Sequence, residues 1–125
     1  MGLDMFLYKH KQYKDNDKTE VAYWRKANQI REWFVNHTDL DYGDNCEIIP
    51  LTRENLVELV NDCNKVLDNH NLAPDIMPTS SGFFFGGTDY DDWYYEDLRY
   101  TVKVVGEILE TTDFENEVIE YSDWW

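Results

Sequence analysis

The chain has 125 residues, 26 Asp and Glu against 11 Lys and Arg, and a formal net charge of −15. Its 42% hydrophobic and 16% aromatic content excludes a disordered acidic polymer, and its length suits one domain, 1–125, with a core of its own. Residues 1–37 carry seven Lys/Arg against five Asp/Glu, whereas 38–125 carry 21 Asp/Glu against Arg53, Lys65, Arg99 and Lys103, a field that repels nucleic acid and anionic membrane and attracts basic protein surfaces.

Leu3–Tyr8 alternates Leu3, Met5 and Leu7 onto one face and predicts a strand. Lys9–Lys18 is polar and reads as a loop. Glu20–His37 reads as the first helix, capped by Thr19, because Tyr23, Ala27, Ile30 and Phe34 fall at helical spacing. Thr38–Asn45 is an acidic turn, and Cys46–Leu51 a short strand that Pro50 confines to an edge. Thr52 caps a second helix running to His70, with Leu56, Leu59, Val60, Cys63, Val66 and Leu67 as its buried stripe.

Asn71–Ser81 is a loop with Pro74 and Pro78, and Gly82–Gly87 a buried strand or packed loop around Phe83–Phe85. Asp89–Thr111 is the third helix, with Tyr94, Leu98, Val102 or Thr101, Val105 and Leu109 inward. Asp113–Trp125 reads as a closing strand beside the first, with an amphipathic helix as the alternative. The expected fold is α+β, with three helices packed on a small, mostly antiparallel sheet.

Several sequence features bear on location. No segment approaches the ~20 apolar residues of a membrane span. Leu3–Tyr8 is too short for a signal-peptide core, and Phe6 occupies the Ser/Thr position of a myristoylation motif. Cys46 and Cys63 read as reduced thiols. The reading is of a cytosolic chain.

The leading candidate site is the acidic-aromatic run Asp89, Tyr90, Asp91, Asp92, Trp93, Tyr95, Glu96 and Asp97, followed by Glu107 and Glu110. First-turn carboxylates gain about 0.3–1 kcal/mol from the helix dipole, which accounts for Asp89, Asp91 and Asp92 on stability alone. Glu96 stands i+4 from Asp92, and Glu107 and Glu110 sit where the dipole disfavours anions. Carboxylates placed against helix stability leave two readings, a solvated face and a partner-binding acidic surface, the second favoured by the lopsided charge.

The remaining constellations are weaker. Asp89-x-Asp91-Asp92 offers oxygens to a divalent ion but lacks the calcium-loop pattern. It supports only the alternative of a small metal-dependent hydrolase, and no metal or cofactor is assigned. No ligand spacing connects His10, His37 and His70; His37 and His70 read as helix-closing residues. The glycines of Ser80–Thr88 precede a helix, but no P-loop Lys follows and acids crowd that end. Lys9, Lys11, Lys14, Lys18, Arg25, Lys26 and Arg31 are a basic set that compensates the chain's own acids rather than binding nucleic acid.

Four stretches, GLDMFLYK (2–9), AYWRKANQIREWF (22–34), SGFFFGGTDYDDWYYEDL (81–98) and DFENEVIEYSDWW (113–125), resemble a family of small bacteriophage and prophage proteins. The resemblance implies a phage origin and action in the bacterial cytoplasm, and brings no catalytic residue with it. Together with the charge it gives the expected function. This is a non-catalytic inhibitor of a host defence system, anti-CRISPR or anti-restriction, that occupies a basic nucleic-acid channel. The alternative of that class is a phage accessory or assembly protein whose acidity keeps it soluble.

Overall fold

The computed structural model describes residues 2–14, 16–82 and 85–125. Strand β1 (Asp4–Lys11) lies at the centre of a four-stranded antiparallel sheet of order β2-β1-β4-β3, with β2 at Thr19–Arg25, β3 at Ile48–Leu51 and β4 at Glu117–Trp124. Helices α1 (Asn28–His37), α2 (Arg53–Asp68) and α4 (Asp92–Thr111) are joined by a short α3 (Ala73–Ile76). The α+β expectation holds. The helix count rises from three to four because Pro74 opens one extra turn inside the expected 71–81 loop.

The alternation of β1 works as the sequence predicts: Leu3, Met5 and Leu7 are fully buried beneath the helices. The closing strand also lies where expected, with β4 paired to β1 from Asp4↔Trp124 to Lys11↔Glu117 without a register slip. Pro50 sits in β3, an edge strand, where its missing N–H faces no neighbour. Thr52 caps α2 in a reciprocal capping box with Asn55.

The first half of the expected Glu20–His37 helix is instead β2, and Thr19 is its first residue rather than a cap. Val21, Tyr23 and Trp24 favour the pleated conformation, and period-two alternation buries Ala22 and Trp24 while leaving Tyr23 outside. Hydrogen bonding to β1, with a bulge at Leu7/Tyr8, outweighs the helical spacing of Tyr23 and Ala27. Lys26, at φ 56, turns the chain into α1. Lys9–Lys11, expected in a loop, continue β1.

Helix α4 begins at Asp92, three residues later than expected, because Asp91 caps it by accepting from the Tyr94 N–H at 3.1 Å. Its inward face is Tyr94, Leu98, Thr101, Val105 and Ile108. Phe83 and Phe84 lie outside the described residues; Phe85 is buried. Gly86 has φ +84, and a Cβ there would meet the Lys26 side chain at 3.1 Å and its carbonyl at 3.3 Å, so this position requires glycine on two counts.

The alternation that buries Ile119 and Tyr121 also places Asp123 at a core position. Its charge is met by Arg31 of α1, also buried, with Nε donating to Asp123 Oδ2 at 2.8 Å. The Tyr121 hydroxyl donates to the same oxygen, and Arg31 Nη2 donates to the Asp44 carbonyl at 2.7 Å. Burial raises the Asp123 carboxyl above its ordinary range, against the opposing pull of Tyr121 and Arg31. Phe85, Tyr42 and Trp125 rings surround the guanidinium at 5.1–5.8 Å.

Removing one partner of such a pair strands the other charge in the core. Arg31→Met is expected to cost about 3–5 kcal/mol in urea unfolding, and Arg31→Met/Asp123→Leu to recover a large part of that loss. A single-variant loss below about 1 kcal/mol would show that the pair is not needed for stability.

Candidate acidic docking surface

The first turn of α1 positions the acidic end of α4. Asn28 is buried, and its amide donates to the Phe85 and Gly87 carbonyls at 3.0 and 2.7 Å while its oxygen accepts from the Ser80 N–H at 2.9 Å. One side chain thus holds both limbs of the loop that leads into α4. Gln29 Nε2 donates to the Tyr94 carbonyl and to Asp97 Oδ2, both at 3.2 Å. The Tyr94 hydroxyl donates to the Met77 carbonyl at 2.6 Å, tying the helix to the end of α3.

On this frame the candidate residues separate into groups. Asp89, Asp91, Asp92 and Glu96 are exposed in the same run as Trp93, which is 81% exposed, and Asp89 and Asp91 line one cleft with it. Tyr90 stands beside them, its hydroxyl accepting from the Thr79 N–H at 3.4 Å. Asp91 is also the helix cap, which makes it structural as well as surface-forming. Tyr95 turns away and stacks on His70, ring centroids 3.8 Å apart. His70 itself lies in a single 3₁₀ turn (His70–Leu72) after α2, not within its last turn.

Asp97 points inward to Gln29. Burial pushes its carboxyl up to about 6, with the Gln29 hydrogen bond pulling down and Asp91 and Glu96 adding a smaller upward push. It lines a cleft of about 420 Å³ with Arg25, Lys26, Gln29, Trp93 and Tyr94. These cleft partners are not visible in the sequence as a site. Only the polar pair Asn28–Gln29, opening a helix next to Ile30, signals that polar groups are drawn into the interior.

Glu107 and Glu110 are exposed near the far end of α4 and lie on the same helix face as Asp92 and Glu96, at three- and four-residue steps. Arg99 and Lys103 occupy the steps between them. Arg99 donates to Glu96, Nη2 to Oε1 at 2.6 Å. The face therefore reads acid, acid, base, base, acid, acid. Its negative charge lies at the two ends of the helix, with a basic middle, rather than being spread along the rod.

Among the described residues, the Asp89–Asp92 carboxylates do not converge as a three-ligand set. Cys63 is in the core, 3.6 Å from the Met77 sulfur, and burial raises its thiol well above the ordinary range. No described helix is long and apolar enough to cross a membrane. No protein-family model, curated protein or solved structure matches the chain.

The Asp97 environment has a pH consequence. Its value is about 6 when folded against 3.8 for the free group, so the folded state binds the extra proton between those values. The contribution to stability is present below about pH 4 and is lost as pH rises through about 6. Asp97→Asn keeps an acceptor for Gln29 and removes the charge. Its Tm is expected to exceed the parent's by about 2 °C at pH 7.5, with the gap closing by pH 4 in a calorimetric series. An equal gap at both pH values would contradict this assignment.

Proposed function

We propose that this chain is a binding protein that docks the acidic, tryptophan-bearing end of α4 onto a basic surface of a nucleic-acid-handling protein. The observation that carries the reading is Trp93, 81% exposed in a run whose carboxylates Asp89, Asp91, Asp92 and Glu96 are exposed with it. An indole is costly to leave in water and is a frequent anchor when buried at an interface. Carboxylates exposed in the same run supply charge-assisted hydrogen bonds to Lys and Arg, which in such partners otherwise pair with phosphates.

Arg99 and Lys103 limit the scale of the contact. They favour a compact patch engaging a few cations over a helix imitating a length of duplex. The phage-like sequence segments make a host defence enzyme in the bacterial cytoplasm, a CRISPR effector or restriction nuclease, the partner we favour. Occupying its cation-lined channel would block the enzyme without chemistry by this chain.

The test compares capture from bacterial lysate by the parent and by an Asp89→Lys/Asp92→Lys/Trp93→Ala variant, leaving the Asp91 cap intact. The expected result is a nuclease retained by the parent, released by 0.5 M salt or competing duplex DNA, and retained at least tenfold less by the variant. Equal retention by a folded variant would overturn the surface. Recovery of phage structural proteins alone would favour the accessory reading.

A further inference from the structure

Helix α2 carries a polar interruption in its apolar stripe: Asp62 is buried beside Cys63, between Leu59 and Val66. It faces the last turn of α1, where Trp33 Nε1 donates to Asp62 Oδ2 at 2.9 Å. His37, one turn beyond Trp33, stacks on the indole with ring centroids 4.2 Å apart. Its Nδ1 lies 2.7 Å from the Trp33 carbonyl. A carbonyl only accepts, so Nδ1 carries the proton, and in the neutral ring Nε2 bears the lone pair. That nitrogen lies 3.7 Å from Glu58 Oε1 and 3.9 Å from Asp62 Oδ2.

We propose that His37, Glu58 and Asp62 form a binding site for a divalent first-row transition ion such as zinc. The three ligand atoms lie within 4.8 Å of one another. A tetrahedral zinc with ligands at 2.0–2.2 Å needs them roughly 3.3–3.6 Å apart. Closing that gap takes little from His37 and Asp62, both held by Trp33, and falls mainly to Glu58, whose side chain is 54% exposed and free to swing. Glu58 and Asp62 are i and i+4 on α2 and present to the same side.

The arrangement also has the outer contacts that metal ligands use. The histidine's second nitrogen is committed to a backbone carbonyl, and the buried carboxylate is oriented by an indole N–H. Lys65 Nζ, 3.7 Å from Asp62 Oδ1, engages the other oxygen of that carboxylate and competes only with bidentate binding. A cleft of about 270 Å³, lined in part by Glu58, Asn61, Asp62 and Lys65, opens beside the two carboxylates. The sequence reading assigns His37 no metal, since no ligand spacing connects it with His10, His70 or a cysteine, and Glu58 lies 21 positions further on. None of the three belongs to the acidic end of α4, so this site stands independently of the proposed docking surface.

Calorimetric titration of the full chain with ZnCl₂ tests the site, with Co²⁺ absorption as the report on coordination. One ion per chain at micromolar Kd is expected, weakened at least tenfold by Glu58→Gln and abolished by His37→Gln. Binding by Asp89→Asn/Asp92→Asn and by His70→Gln should match the parent. Because Glu58 is exposed, its variant folds and keeps the test decisive. Absence of saturable binding, or binding that Glu58→Gln changes less than threefold, would overturn the proposal.

Discussion

The buried ion pair between Arg31 and Asp123 is the constraint around which the rest of the molecule is arranged. Period-two alternation in β4 leaves no choice about where Asp123 points once Ile119 and Tyr121 are inside. A carboxylate there demands a cation, and the cation comes from α1, so the pair fixes that helix against the sheet. Arg31 also reaches the Asp44 carbonyl and is enclosed by Tyr42, Phe85 and Trp125. The acidic turn, the glycine-flanked loop and the residue after β4 therefore meet on one guanidinium.

From that anchor the order of the rest follows. With α1 set by Arg31, its first residues Asn28 and Gln29 face the loop before α4 and supply the bonds that hold it. With its last turn set, Trp33 and His37 face α2. The helix thus presents polar groups at both ends, and each polar end meets a different region carrying carboxylates. The acidic end of α4 and the His37 cluster are in this sense two outcomes of one helix placement.

Legibility from sequence divides along the reach of the interactions. Leu3, Met5 and Leu7, the Thr52 cap, the α2 stripe and Pro50 act on neighbours a few residues away, and local pattern reveals them. The break between β2 and α1 escapes because Tyr23, Ala27, Ile30 and Phe34 form a helical series across Lys26, whose left-handed turn has no glycine to mark it. The buried polar residues escape for a different reason. Asn28 bonds 57 positions away and Arg31 92 positions away, so nothing in the local spacing shows that their charge or amide is satisfied inside. The exposed candidates Asp89, Asp92, Trp93 and Glu96 were legible as a group, whereas the inward turns of Tyr95 and Asp97 depend on His70 and Gln29.

The adjacency of β1 and β4 carries a consequence for how the chain acquires its structure. Asp4 pairs with Trp124, so the central ladder joins segments separated by nearly the whole sequence. Closing so long a loop is entropically expensive and places the molecule among slow-folding topologies. On the ribosome β1 emerges first of the four strands and can form its hairpin with β2 early, yet its other edge stays open until β4 is made. During that interval one edge of β1 has no partner strand, and the newborn chain is most exposed to aggregation or chaperone capture in the time before its last strand arrives.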